Sequence, residues 1–103
     1  MVELNPVKGS EQKAVCPVVI ISGDAMNDHL NICIVCPLST RVKNYAGCVI
    51  LEKNKTNNLD KDSEVITFQV RAVSKERLVK RIGEISKEQV NSIRTGLSEI
   101  LTY

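Results

Sequence analysis

The chain has 103 residues, of which 43% are hydrophobic and 25% are charged. These proportions are those of a single globular domain, which we expect to cover residues 1–103. A net charge of +2 is too small to indicate nucleic-acid binding unless basic residues form a local patch. No apolar run is long enough to cross a membrane and no signal-peptide pattern is present, so we expect a cytoplasmic protein.

The predicted elements follow from short apolar runs that alternate with polar turns, a pattern typical of a mostly β protein. The predicted strands are residues 2–4, 15–22, 31–39, 46–52, 64–71 and 78–85. Residues 23–29 are predicted as a turn, 41–45 and 53–61 as loops, and 74–77 as a helical turn. Alternation in 64–71 predicts Ile66, Phe68 and Val70 on one face and Thr67, Gln69 and Arg71 on the other.

The C-terminal segment is predicted to be a helix. Ser86 followed by Gln89 matches a capping box, in which side chain and backbone of the two residues bond reciprocally. Apolar residues then recur at helical spacing, at Val90, Ile93, Leu97, Ile100 and Leu101. Gly96 weakens an isolated helix by about 1 kcal/mol, so tertiary packing must hold it. These elements predict a small twisted barrel with a helix packed on it.

The positions of the cysteines indicate that their thiols are reduced. The four cysteines lie in apolar runs, where a free cysteine behaves as a small hydrophobic residue; they are Cys16, Cys33, Cys36 and Cys48. The Cys33-x-x-Cys36 spacing could suggest a metal site. In a strand, however, it directs the two side chains to opposite faces, and a closed zinc site needs four ligands. The sequence therefore predicts no metal site.

Three blocks of sequence carry the functional information. The first is NPVKGSEQKAVCPVVIIS, residues 5–22, in which a polar loop enters an apolar strand. The second is CPLSTRVKNY, residues 36–45, which places two hydroxyls and two cations at the end of a strand. Such groups can hold a phosphodiester, although a serine there also commonly forms a local turn. The third is TFQVRAVSKERL, residues 67–78.

Together these blocks resemble the MazF/PemK family, and the resemblance extends over nearly the whole chain. It implies a mostly β (α+β) fold, an SH3-like barrel of the CcdB/MazF/PemK type with a C-terminal α-helix. It also implies an endoribonuclease toxin of a type II toxin–antitoxin system that cuts single-stranded mRNA with no metal or other cofactor. The ribose 2′-hydroxyl would attack the adjacent phosphate and leave a cyclic phosphate and a 5′-hydroxyl. The implied partners are RNA, a cognate antitoxin that competes for the same groove, and a second copy in a homodimer.

The resemblance also implies site residues. The catalytic positions would be Cys16, Ser39 and Thr40. The RNA-binding positions would be Gly9, Ser10, Glu11, Gln12, Arg41, Lys43, Gln69 and Arg71. With His29 as the only histidine, a mechanism that uses two histidines for acid and base is excluded.

Two departures from the family pattern shape the functional prediction. Cys16 occupies the usual position of a catalytic arginine, and the first strand is shorter than the family's, which would leave a sheet edge uncovered. A neutral thiol cannot clamp a phosphate as a guanidinium does, so weak cleavage is expected. The alternative is a degenerate homologue that binds antitoxin or RNA without cutting. A third possibility, poisoning of gyrase, rests only on related barrels.

Overall fold

The computed structural model describes residues 2–4 and 16–102. The strands are β1 Val2–Leu4, β2 Cys16–Ile20, β3 Ile32–Ser39, β4 Val49–Leu51, β5 Ser63–Val65, β6 Arg71–Ser74 and β7 Leu78–Arg81. The helices are α1 Asp24–His29 and α2 Lys87–Thr102, and two single 3-10 turns cover Thr67–Gln69 and Lys75–Arg77. The mostly β, α+β class predicted from the sequence is confirmed.

The strands form one antiparallel sheet in the order β4-β5-β3-β2-β1-β7, with β6 paired to β3. The long central strand β3 therefore has three partners, β2, β5 and β6. Among the described residues β4 and β7 do not pair, so the sheet is not closed as a barrel would be. Over its three residues β1 pairs with both β2 and β7, which leaves no free edge along Val2–Leu4.

The core consists of two clusters on opposite faces of β2 and β3, because side chains alternate along a strand. One cluster contains Val18, Cys33, Val35 and Val73. The other contains Val19, Ile21, Cys36, Leu51, Val65 and Ile93, and through Ile93 it includes helix α2. Cys33 and Cys36 thus lie on opposite faces, as their spacing predicts.

Helix α2 begins with the predicted capping box. The Ser86 N–H donates to Gln89 Oε1 at 2.9 Å, and the Gln89 N–H donates to Ser86 Oγ at 3.1 Å. Ile93 is fully buried, but Leu101 is 78% exposed, so its predicted place on the packed face is wrong. Leu101 lies in the last turn of the helix, which ends at Thr102.

Helix α2 also contacts backbone groups of two segments outside the strands, at Gly47 and Ile21. Gly96 is buried where the helix crosses Gly47, and a Cβ on Gly96 would overlap the Gly47 carbonyl oxygen. Arg94 donates from Nε and Nη2 to the carbonyl oxygen of Ile21, at 3.1 and 3.0 Å. The glycine at position 96 therefore lowers the helix propensity of α2 but allows the helix to approach the loop closely. Neither helix in the described ranges is long and apolar enough to span a membrane.

The turn predicted for residues 23–29 is wrong, because Asp24–His29 forms helix α1. Asn27 explains part of this difference. Its amide nitrogen donates to the Ser22 carbonyl at 2.9 Å, and its side-chain oxygen accepts from the Ser22 hydroxyl. Asn27, one of the residues that suggested a turn, thus holds the short helix against the segment that follows β2.

Candidate functional site

A pocket of about 400 Å³ lies where β3 ends and the 3-10 turn Thr67–Gln69 passes beside the loop that follows β3. It brings together residues from the second and third sequence blocks. Its lining consists of Pro37, Leu38, Ser39, Arg41, Lys43, Tyr45, Ile66, Phe68 and Gln69. The backbone joins the two segments, because the Ile66 N–H donates to the Pro37 carbonyl at 2.9 Å.

Ser39 is half-buried at the end of β3 and shapes the loop that follows. Its Oγ accepts the Arg41 N–H at 3.1 Å and lies 3.4 Å from the Arg41 carbonyl oxygen. The local turn that the sequence offered as the simpler interpretation is therefore present. Ser39 nevertheless lines the pocket with the exposed cations Arg41 and Lys43, so a hydroxyl and two positive charges surround one cavity.

Cys16 begins β2 and is exposed, so the interpretation of all four cysteines as core residues is wrong for Cys16. Cys33 and Cys36 are buried, and Cys48 is half-buried. The β2–β3 register pairs Val18 with Pro37. The pairing of the two strands does not extend to Cys16, and Cys16 does not line the pocket that contains Ser39.

Arg71 and Thr40 lie further from the pocket. Arg71 pairs with Val35, four residues before Ser39, which corresponds to about 13 Å along β3. Its alignment with Val35 places Arg71 on the same face as Ser39. Thr40 follows β3 and is exposed, and neither residue lines the pocket. Gln69 does line it. The structure therefore brings Ser39, Arg41, Lys43 and Gln69 together and leaves Thr40 and Arg71 outside the lining.

The strand predicted for residues 64–71 is broken, and its predicted alternation is wrong. The 3-10 turn Thr67–Gln69 buries Thr67 completely and leaves Phe68 51% exposed. Thr67 is drawn inward because its hydroxyl donates to the Gly47 carbonyl at 3.0 Å. Gln69 and Arg71 therefore do not share the face of one strand; the turn directs Gln69 toward the pocket instead.

Two aromatic residues of the pocket were missed in the sequence. Tyr45 and Phe68 form an edge-to-face pair, with ring centroids 5.3 Å apart and an interplanar angle of 87°. Both belong to the sequence blocks quoted above, Tyr45 as the last residue of the second and Phe68 as the second residue of the third. The only sign of them in the sequence is an aromatic residue close to cationic ones. The sequence alone does not show that the two rings meet.

Glu64 was also missed, and it holds the loop that carries the cations. It is fully buried. Its Oε1 accepts the N–H groups of Lys43 and Asn44 at 2.9 and 3.2 Å, and its Oε2 accepts that of Tyr45 at 2.8 Å. A buried carboxylate needs such donors to offset its desolvation, so the loop and the carboxylate stabilise each other.

The predicted contacts in the first block, Gly9, Ser10, Glu11 and Gln12, lie outside the described residues. Within residues 16–102 no group of three or more His, Cys, Asp or Glu side chains could hold a metal ion. Burial raises the pKa of the Cys36 thiol to about 11, and that of Cys33 is also raised by burial, against an opposing effect of Lys75. Both thiols are therefore neutral groups within the core.

The family model for PemK-like, MazF-like toxins of type II toxin–antitoxin systems matches residues 1–101. The chain belongs to this family. A curated Endoribonuclease MazF of Staphylococcus saprophyticus is 32% identical over 99 residues, covering 94% of this chain and 82% of that protein.

Solved MazF structures share the fold. The Mycobacterium tuberculosis toxin MazF-mt6 superposes with a TM-score of 0.77 at 19% identity, covering 97% of this chain and 94% of that one. A mycobacterial endoribonuclease in complex with its cognate antitoxin gives a TM-score of 0.76 at 20% identity, covering 97% and 88%. The family resemblance inferred from the three sequence blocks is therefore confirmed.

Proposed function

We propose that this MazF-family protein is an endoribonuclease that cuts single-stranded RNA without metal. The observation that carries the proposal is the pocket in which the Ser39 hydroxyl, Arg41 and Lys43 surround a cavity wide enough for part of a nucleotide. Membership of the toxin family and the name of the 32% identical relative, an endoribonuclease, support it.

In this proposal the RNA supplies its own nucleophile. The ribose 2′-oxygen attacks the adjacent phosphorus as its proton leaves, and the bond to the 5′-oxygen breaks as that oxygen is protonated. The products are a 2′,3′-cyclic phosphate and a 5′-hydroxyl, and no oxidant or cofactor is needed. Arg41 and Lys43 stabilise the charge that grows on the phosphate, and Ser39 orients it. Gln12, Gln69 and Arg71 contact neighbouring nucleotides, as do the residues of the first loop, Gly9, Ser10 and Glu11.

The partners follow from the family. We propose that residues 1–103 form one domain that acts in the cytoplasm as a homodimer and is neutralised by a cognate antitoxin. One fold neighbour is a mycobacterial endoribonuclease in complex with its cognate antitoxin, which supports a protein partner for this fold. Light scattering at micromolar concentration tests the dimer, and a single 11.4 kDa species would contradict it.

A second candidate is a binding module that retains the groove but does not cut. The exposed Cys16 favours it, because the position at which the family pattern has an arginine carries a neutral thiol instead of a cation. Losing one electrostatic stabiliser typically lowers a rate by about 10²- to 10³-fold. Cleavage by the natural chain would then be weak even with an intact pocket.

The test is a single-turnover cleavage assay on a mixed-sequence RNA in EDTA, with analysis of the product ends. We expect slow cleavage that leaves cyclic phosphates, and a further loss in Lys43→Ala. Lys55→Ala is the matched control, since Lys55 is an exposed lysine in a different loop. Absence of cleavage by the natural chain and by Cys16→Arg, with RNA binding retained, would favour the binding module.

A further inference from the structure

Aromatic residues are scarce in this chain, and two of the three meet at the pocket. The sequence contains two tyrosines, one phenylalanine and no tryptophan. Tyr45 and Phe68 are 46% and 51% exposed, so neither ring serves the hydrophobic core. Large exposed apolar groups that cluster beside charged residues mark binding surfaces rather than packing.

The geometry points to an RNA subsite: we propose that Tyr45 and Phe68 form a stacking platform for one unpaired nucleobase beside the cleaved phosphate. The inference rests on the proposed ribonuclease function and names a contact within it. In an edge-to-face pair, one ring meets the other through its edge and keeps its own faces open. At 5.3 Å and 87° the pair has this arrangement, which leaves a ring face to receive a base.

The backbone at each aromatic residue is held by a buried anchor, so both rings extend from fixed positions before RNA arrives. The Tyr45 N–H donates to the buried Glu64 carboxylate at 2.8 Å. Phe68 follows the fully buried Thr67, and the Gln69 N–H closes the turn by donating to the Ile66 carbonyl at 3.1 Å. A platform of fixed geometry loses little conformational entropy when a ligand binds.

The chemistry around the rings favours RNA over a protein partner. Arg41 and Lys43 line the same pocket and match the phosphates on either side of a base. Aromatic rings beside a positively charged groove are the usual means of binding single-stranded nucleic acid, because every base has a π-face. Gln69 adds an amide that can both donate to and accept from a base edge.

The platform is tested on the full-length protein with Phe68→Ala, Phe68→Trp and, as control, Leu101→Ala, which removes an exposed apolar side chain at the end of α2. The probe for binding is an uncleavable 2′-O-methyl RNA 12-mer of mixed sequence, followed by fluorescence anisotropy. Base stacking is worth about 1–3 kcal/mol, so Phe68→Ala should weaken affinity about 5- to 150-fold. Phe68→Trp should retain affinity, and Leu101→Ala should not change it. Thermal unfolding monitors the fold of each variant.

A second measurement locates the base. Once the cut site in a long RNA is mapped, short substrates carry one abasic residue at successive positions beside it. Removing the stacked base should slow cleavage by the natural protein and leave cleavage by Phe68→Ala unaffected, since coupled groups are not additive.

Unchanged affinity in a folded Phe68→Ala, while the natural protein cuts RNA, would overturn the platform alone. Altered oligomeric state with unchanged RNA affinity would reassign the rings to a contact between protein copies. Absence of RNA binding and cutting by the natural protein would overturn the platform together with the proposed function.

Discussion

The buried carboxylate of Glu64 accepts the backbone N–H of Tyr45 at 2.8 Å, across 19 positions of sequence. The same carboxylate accepts the N–H groups of Lys43 and Asn44. Asn44 has a φ of 56°, in the left-handed region, so the loop needs support to keep this shape. One fully buried anion thus positions the backbone that carries the cation and the aromatic ring of the candidate site.

Glu64→Gln should therefore destabilise both the fold and the loop. A glutamine keeps one acceptor oxygen but turns an NH2 group toward an N–H donor, which leaves a buried donor unpaired. We expect a loss of about 1–3 kcal/mol in the free energy of unfolding, measured with urea. Amide exchange at residues 43–45 should also accelerate. Asp62→Asn is the control, since Asp62 accepts the Lys53 N–H in an exposed loop, and an equal effect there would contradict the role of Glu64.

Gly96→Ala should destabilise the protein although alanine is the better helix former. In an isolated helix the change would gain about 1 kcal/mol. Here the added Cβ would overlap the Gly47 carbonyl oxygen, so helix and loop must separate. We expect a net loss of about 1–3 kcal/mol in urea unfolding. Ser98→Ala, at an exposed position of the same helix, is the control and should leave stability unchanged. Equal stability of Gly96→Ala and the natural chain would show that the contact between Gly96 and Gly47 is loose.

The raised pKa of the Cys36 thiol predicts that the protein loses stability at alkaline pH. Burial raises the pKa of its thiol to about 11, with a further contribution from the Cys48 thiol. The unfolded chain releases this proton at about pH 8.5, so the folded protein binds it more tightly. The stabilisation is complete below the unfolded pKa and is lost as the pH rises through the folded one. Between pH 9 and 11 the natural chain should lose more unfolding free energy than Cys36→Ala, and parallel curves would count against the raised pKa.

Cys16→Arg should raise the rate of RNA cleavage. A guanidinium at the position where the family pattern has an arginine would supply a further cation for the phosphate, and we expect a gain of about 10²- to 10³-fold in a single-turnover assay. Ser39→Ala in the arginine background should remove much of that gain. Cys16→Ser is the neutral control and should match the natural chain. Equal and substantial rates for Cys16→Arg and the natural chain would mean that Arg41 or Arg71 already serves the phosphate.

The sequence predicted well wherever the signal was local. The capping box of Ser86 and Gln89 forms as expected, because its bonds join residues three positions apart. Strand β3 also begins and ends within a residue of its prediction, since an apolar run of that length between polar segments has few alternatives. The alternation predicted around Phe68 failed, because a hydroxyl bond from Thr67 to the distant Gly47 turned the chain.

The amino-acid sequence by itself determined the family, the mostly β class, the C-terminal helix and the block that contains Ser39, Arg41 and Lys43. These features depend on residue type and short-range spacing, which can be read directly from the sequence. Only the tertiary structure decided that Phe68 meets Tyr45, that Glu64 is buried beneath the loop, that Cys16 is exposed and that Arg71 lies outside the pocket lining. Such outcomes depend on strand register and on contacts between residues far apart in the chain, where one long-range hydrogen bond or close backbone approach outweighs local preference.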